Sequence, residues 1–168
     1  MVNPEKPKAV DGVIKALEKA DIIVLGPGSL YTSIIPNLLV DGVVDAIKKS
    51  NAVKIYVCNI MSQAGETENY TVSDHLAAIE RHSYEGIADI VIANNAIIPE
   101  SLRIKYASEH AREVMIDSIN VLKRAKLVQG NLLLVRNDKI RHNFSRLART
   151  IMLSLIHISE PTRRTPIS

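Results

Sequence analysis

The chain has no tryptophan, one phenylalanine and one cysteine, and it lacks any long apolar run. A single cysteine, Cys58, excludes an internal disulfide and favours a reducing compartment, here the cytoplasm. Cys58 lies in the apolar run Val53–Ile60, which is typical of an inert buried thiol, since a nucleophilic cysteine needs a nearby cation. No stretch reaches the length of a membrane span and the first residues carry no signal-peptide core, so no membrane association is expected.

Charge and aromatic content also argue against a nucleic-acid partner. The formal net charge is only +3, from 21 basic and 18 acidic residues over 168 positions. So few aromatic side chains leave no stacking platform for a single strand. The five histidines show no metal-ligand spacing, and one cysteine makes a zinc site unexpected. The length fits one domain with a sizeable core.

The most informative feature that is present is an apolar strand followed by small and hydroxyl residues. Ile22–Leu25 is uniformly apolar, Gly26–Ser29 is a turn, and Tyr31–Ser33 leads into a helical pattern. The start of a helix has unpaired N–H groups and a partial positive charge, and glycines let an anion approach the backbone. The stretch therefore predicts a phosphate-binding loop, with a plain tight turn as the alternative.

Helical and strand patterns alternate along the chain, which predicts an α/β, Rossmann-like fold. We expect an open parallel sheet of four or five strands with helices on both faces. The predicted strands are Ile22–Leu25, Val53–Asn59, Asp89–Ala93, Val114–Ile116 and Leu132–Val135. The first predicted helix carries Val13 and Leu17, and the second carries Leu39, Val43 and Ile47, with Pro36 in its first turn. The third runs from the N-cap Thr71, paired with Asp74, to Tyr84. The last two are Pro99–Tyr106 and Arg141–Met152.

The last sixteen residues, Leu153–Ser168, do not continue this pattern. They resemble translated vector or adapter DNA, which predicts an artefactual tail, with a disordered native tail as the alternative. The predicted domain is therefore residues 1–152, followed by a non-family tail at 153–168.

Three of the predicted strands are followed by polar or small residues. Because ligands bind outside the carboxyl ends of parallel strands, these residues should converge on one pocket. Asn94 could instead cap strand-end carbonyls, and Glu66 could be a solvated loop charge. No nucleophile with a base is evident, so no catalytic or metal-binding residue is predicted. The predicted phosphate- or nucleotide-binding residues are Gly26, Gly28, Ser29, Thr32, Ser33, Asn59, Glu66 and Asn94.

In combination these motifs resemble the gluconeogenesis factor family (YvcK-type) of the CofD-like superfamily. The resemblance covers approximately residues 3–152 and is carried by Gly26–Ser33, Ile35–Leu39, Tyr56–Met61, Gly65–Thr67, Asp74-His75, Asn94-Asn95 and Arg141-His142. It implies a cytosolic bacterial protein that binds UDP-sugars, notably UDP-N-acetylglucosamine. It also implies a regulator that links gluconeogenic carbon metabolism to cell-wall precursor supply and cell shape, with a cell-wall precursor enzyme as regulated partner. The oligomeric state is left open.

The same superfamily implies an alternative, a magnesium-dependent transferase that moves a phospholactyl group to a deazaflavin precursor. The form Gly26-Pro27-Gly28-Ser29 favours the regulator, since the transferases tend toward Gly-Pro-Ser-Asn at this place. The family's glycine-rich N-terminal loop and its Asp-Asp-Gly-Gly segment are absent. This predicts a C-terminal half, truncated at the N-terminal side, with one exposed sheet edge. Ala64 and Asn143-Phe144 stand where the family usually has Pro and Asp-Pro.

Overall fold

A four-stranded parallel sheet, in the order β1-β2-β3-β4, forms the centre of the fold. The computed structural model describes residues 7–159. The strands are β1 (Ile22–Leu25), β2 (Val53–Val57), β3 (Ile90–Asn94) and β4 (Lys126–Gly130). Every residue of β3 is buried, as expected for a central parallel strand that is covered on both faces. The predicted α/β class with a parallel sheet is confirmed.

Helices cover both faces of this sheet. A π-helical turn, Leu30–Ile34, follows β1. The α-helices in the described residues are α1 (Val13–Lys19), α2 (Ile35–Leu38), α3 (Val43–Lys49), α4 (Val72–Arg81), α5 (Glu100–Ser108), α6 (Ser118–Leu122) and α7 (Phe144–Ser159). One face carries the larger apolar core, to which α3, α4 and α6 contribute. The other face packs against Leu147 of α7.

The prediction of a single helix through Leu39 and Ile47 is wrong. Gly42 has φ = +80° and interrupts it, because a left-handed residue cannot continue the hydrogen bonding of an α-helix. Two short helices, α2 and α3, result. Pro36 does lie in the first turn of α2, as predicted. The capping box of α4 is also confirmed, since the Thr71 side chain and the Asp74 side chain each accept a backbone N–H from the other residue.

The last third of the chain departs from the prediction. Val114–Ile116 is not a strand of the sheet, because its backbone pairs with the loop after β2, where the Val114 N–H donates to Ile60 O at 3.0 Å. The fourth parallel strand is β4, which was not predicted. Next come β5 (Leu133–Arg136) and β6 (Lys139–His142), an antiparallel hairpin outside the parallel sheet.

Helix α7 begins three residues later than predicted and ends beyond the predicted Met152. It runs from Phe144 to Ser159, and Leu155 packs against the core that Leu147 joins. Residues 160–168 of the predicted tail lie outside the described residues, so its artefactual origin stays a prediction. Within residues 7–159, no helix is both long enough and apolar enough to cross a membrane.

Candidate functional site

A cavity of about 600 Å³ opens at the carboxyl ends of β1 and β2, and we call it the sheet-end cavity. Its volume falls in the range of small-molecule sites. One wall is formed by the loops after β1 and β2, and the other by β6 and α7. The lining residues are Pro27–Ser29, Asn59–Gln63, Tyr106, Ile140–His142, Phe144, Leu147, Ala148 and Ile151.

The loop after β1 separates this cavity from a second one. Of the predicted residues, Gly28, Ser29 and Asn59 line the sheet-end cavity. Gly26, Gly28 and Ser33 line a cavity of about 560 Å³ beside the free edge of β1, which we call the edge cavity. The edge cavity is mainly apolar, since Leu and Ile side chains of the larger core form much of its wall. Thr32 is exposed and its side chain lines neither cavity.

Glu66 is joined to the sheet-end cavity through Ser29. The Ser29 hydroxyl donates to Glu66 Oε2 at 2.8 Å and accepts the Thr32 N–H at 3.3 Å. A serine hydroxyl carries one proton, so Ser29 has none left for a phosphate oxygen. The Ser29–Glu66 pair therefore offers hydrogen-bond acceptors to a ligand. This differs from the sequence prediction, in which Ser29 donates a hydrogen bond to a phosphate.

Asn94 is held by the backbone around it and does not line either cavity. Its Oδ1 accepts the Leu132 N–H at 3.0 Å, and its Nδ2 donates to Ala96 O at 3.2 Å. The side chain is buried. These contacts match the strand-end capping that was the alternative to a ligand role.

The two glycines of the loop have different surroundings. Gly26 has φ = +85°, and a Cβ there would lie 2.9 Å from Val57 O. This close approach to β2 accounts for Gly26 without any ligand. At Gly28 a Cβ would lie 3.3 Å from Ser33 Cβ, and the residue faces both cavities. A side chain at Gly28 would therefore crowd Ser33 within the loop that lines the sheet-end cavity.

The opposite wall brings in residues that were not in the predicted set. Arg141 is exposed and lines the cavity from β6, where its guanidinium donates to Ile140 O at 3.2 Å. Tyr106 reaches the cavity from α5, and its hydroxyl accepts the Ile140 N–H at 2.9 Å. The sequence signal for the position of Arg141 is the pair Asn137-Asp138, which is typical of a hairpin turn. Both residues have positive φ, +50° and +53°, and the turn they form places Arg141 on β6. No local pattern pointed to Tyr106.

His142 and Cys58 connect the two walls. The Nε2 of His142 lies 3.3 Å from Cys58 O, and because a carbonyl only accepts, the neutral ring carries its proton on Nε2. Burial lowers the pKa of His142, partly offset by this hydrogen bond, so Nδ1 is an acceptor at neutral pH. Burial raises the pKa of the Cys58 thiol to about 12, which keeps it protonated and matches the inert role predicted for it.

A further cavity of about 600 Å³ lies beyond Met61 and Ser62, between α5 and the loop after β2. It contains none of the predicted residues, and both arginines and glutamates line it. Among residues 7–159, no group of three or more His, Cys, Asp or Glu side chains could hold a metal ion. The sheet-end cavity is therefore the candidate site.

A family model described as "2-phospho-L-lactate transferase CofD" matches residues 1–138. The chain belongs to the CofD family. Among its relatives, the gluconeogenesis factor of Halalkalibacterium halodurans is 42% identical over 153 residues, which are 90% of this chain and 47% of that protein. The gluconeogenesis factor of Bacillus subtilis is 40% identical over 149 residues, 88% of this chain and 47% of that protein. The resemblance to gluconeogenesis factors is thus confirmed.

A solved structure agrees with this assignment. The crystal structure of a UPF0052 family member from Bacillus halodurans superposes with a TM-score of 0.86 at 42% sequence identity. The match covers 89% of this chain and 49% of that chain. The chain spans about half the length of the curated relatives it matches.

Proposed function

We propose that the protein binds a nucleotide sugar of the UDP-N-acetylglucosamine type in the sheet-end cavity and acts as a regulator. The observation that carries the proposal is the composition of this cavity. This cavity of about 600 Å³ is lined by Gly28 and Ser29 of the loop after β1, by Asn59 and by Arg141. Backbone N–H groups and an arginine suit phosphates, and amide and carboxylate groups suit sugar hydroxyls.

The biological part of the proposal rests on the relatives. Two proteins named gluconeogenesis factors are 40% and 42% identical to this chain over the matched 149 and 153 residues. We propose that the nucleotide sugar reports on cell-wall precursor supply, and that the bound protein adjusts gluconeogenic carbon flow and cell shape by contacting a cell-wall precursor enzyme. A cytoplasmic location belongs to the same proposal.

A second candidate function is phospholactyl transfer to a deazaflavin precursor, and the description of the matched family model favours it. That reaction uses magnesium in the related transferases. Glu66 is the carboxylate joined to the cavity lining, and residues 7–159 contain no group of three or more acidic, His or Cys ligands, so a magnesium ion here would be held largely by substrate phosphates. Formation of a phospholactyl deazaflavin by the protein would decide in favour of the transferase.

Thermal denaturation with and without UDP-N-acetylglucosamine tests the binding proposal. Ligand at about 100 times its Kd adds about 2.7 kcal/mol to the free energy of unfolding. For a chain of this size that raises Tm by roughly 5–10 °C. Arg141→Ala should reduce this shift because it removes a cation from the cavity wall. Gly28→Val should also reduce it, because a side chain at Gly28 would crowd Ser33 and displace the loop that lines the cavity.

Arg149→Ala is the matched control, because Arg149 is exposed on α7 and does not line the cavity. It should keep the full ligand shift. An unchanged Tm of the wild-type chain at saturating concentrations would overturn the binding proposal. A shift that Arg141→Ala and Arg149→Ala reduce equally would place the ligand elsewhere.

A further inference from the structure

The Ser29 and Glu66 side chains form an acceptor pair beside the sheet-end cavity, which Ser29 lines and which Glu66 adjoins through its hydrogen bond to Ser29. The hydroxyl of Ser29 gives its proton to Glu66 Oε2 at 2.8 Å, and one of its lone pairs takes the Thr32 N–H. A ligand that reaches this pair therefore meets oxygen lone pairs and a negative charge. Such a surface accepts hydrogen bonds from a hydroxyl and repels a phosphate.

The backbone of the loop that carries Glu66 is held by hydrogen bonds. The Glu66 N–H donates to Gln63 O at 3.2 Å, and the Gln63 N–H donates to Thr67 Oγ1 at 3.0 Å. Thr67 is fully buried, while Glu66 is half-buried. Its second oxygen, Oε1, receives no hydrogen bond from residues 7–159 and is left to solvent or ligand. A carboxylate on such a loop, oriented by the Ser29 hydroxyl, loses less entropy when it binds than a free side chain does.

Charges are distributed unevenly across the cavity. The loop at 26–34 has no charged residue, and the loop at 62–70 has two acidic residues, Glu66 and Glu68, and no basic one. On the other wall, β6 and α7 contain no acidic residue. Their basic residues are Lys139, Arg141, Arg146 and Arg149, of which Arg141 lines the cavity. An anion is favoured at the β6 wall and disfavoured beside Glu66.

We infer that the ligand lies with its phosphates toward Arg141 and with a sugar hydroxyl donating to Glu66, which Ser29 orients. Glu66 is then a specificity-determining residue. It favours a diphosphate that carries a neutral hydroxylated sugar over the same diphosphate without the sugar. The inference rests on the proposed function, and it assigns Ser29 a positioning role in place of a phosphate contact.

Isothermal titration of the full chain with UDP-N-acetylglucosamine and, separately, with UDP tests this orientation. Glu66→Gln keeps an oxygen that can accept from Ser29 but removes the charge. We expect it to weaken UDP-N-acetylglucosamine binding about tenfold or more, because a hydrogen bond to a charged acceptor is lost. Its affinity for UDP should stay within about twofold of wild type. Glu68→Gln, an exposed carboxylate in the same loop, should change neither affinity.

Ser29→Ala is the second variant, and it serves if Glu66→Gln does not fold. It leaves the charge of Glu66 but frees the carboxylate from its hydrogen bond, so it too should weaken the binding of UDP-N-acetylglucosamine and not that of UDP. Ser29→Thr keeps the hydroxyl and should restore binding. Tighter UDP binding by Glu66→Gln would overturn the inference, since a phosphate would then lie beside the carboxylate. Equal loss of both ligands, or loss of neither, would also overturn it. A wild-type chain that binds neither compound would overturn the proposed function as well.

Discussion

Asn94 Oδ1 accepts the backbone N–H of Leu132 at 3.0 Å, and this bond ties the end of β3 to the start of the β5–β6 hairpin. Leu132 is itself fully buried in the core beneath α7. The hairpin in turn carries Arg141 and His142 to the sheet-end cavity. A residue that the sequence suggested as a ligand contact therefore acts on the site through the backbone that positions its opposite wall.

Replacing Asn94 by Ala should destabilise the fold by about 1–3 kcal/mol, because the buried Leu132 N–H would lose its acceptor. The measurement is urea denaturation of wild type and variant. Asn95→Ala is the control, since Asn95 is exposed and should change the free energy of unfolding by less than about 0.5 kcal/mol. Equal stability of all three proteins would contradict the structural role of Asn94.

The strands β1, β2 and β3 could be predicted because β1 and β3 are short apolar runs and β2 is apolar apart from Lys54, a composition typical of strands in a covered parallel sheet. Helix α4 could be predicted because its capping box is a local signal that tertiary contacts do not alter. In both cases the information lies within a few neighbouring residues.

The last third could not be predicted in the same way. Strand β4 lies at the sheet edge with Lys126 and Gln129 exposed, so its sequence shows no apolar run. Asn137-Asp138 is a hairpin signal, but the helical pattern of α7 begins close by, and on sequence alone it extends back to Arg141. The cavity forms where α5, β6 and α7, which are distant in sequence, pack together. Local sequence patterns do not predict which distant elements will meet.

Gly26→Ala should destabilise the protein far more than Gly86→Ala. Both glycines have positive φ, +85° and +79°, so both variants have a similar backbone penalty of about 1–2 kcal/mol. Only at Gly26 does the added Cβ meet a backbone atom, Val57 O at 2.9 Å, whereas nothing lies within 4 Å at Gly86. Thermal melts of the two variants measure the difference. Similar Tm values would show that the loop after β1 can move away from β2.

Acidification should destabilise the fold through His75. The ring is fully buried, Nδ1 lies 2.9 Å from Thr71 O, and Nε2 has no partner among residues 7–159. Burial lowers the pKa of His75, against smaller raising effects of Thr71 and Asp74. The unfolded chain therefore takes up the proton first as pH falls. The stabilisation is present above the ordinary pKa of 6.5 and is lost as pH decreases toward the folded-state value.

Free energies of unfolding measured between pH 8 and pH 5 test this sign. Each pH unit between the folded and unfolded pKa values of His75 corresponds to about 1.4 kcal/mol. His75→Gln should be less stable at pH 8 but should show a shallower decrease toward pH 5. His110→Gln, at an exposed position, should keep the wild-type slope. An unchanged slope in His75→Gln would assign the acid sensitivity to other groups, of which His142 is the next candidate.

The free edge of β1 should make the chain self-associate. In the described residues β1 pairs only with β2, so the backbone groups on its outer side have no strand partner. The edge cavity lies alongside, and Val24 is 41% exposed beside it. An unpaired apolar edge is a template for pairing with another chain, and a lysine on such an edge blocks it. Val24→Lys should therefore lower the concentration-dependent light scattering of the protein. Val135→Lys tests whether any added charge would do the same, since Val135 is 42% exposed on the hairpin and away from this edge. If both variants reduce scattering equally, net charge and not the β1 edge governs association.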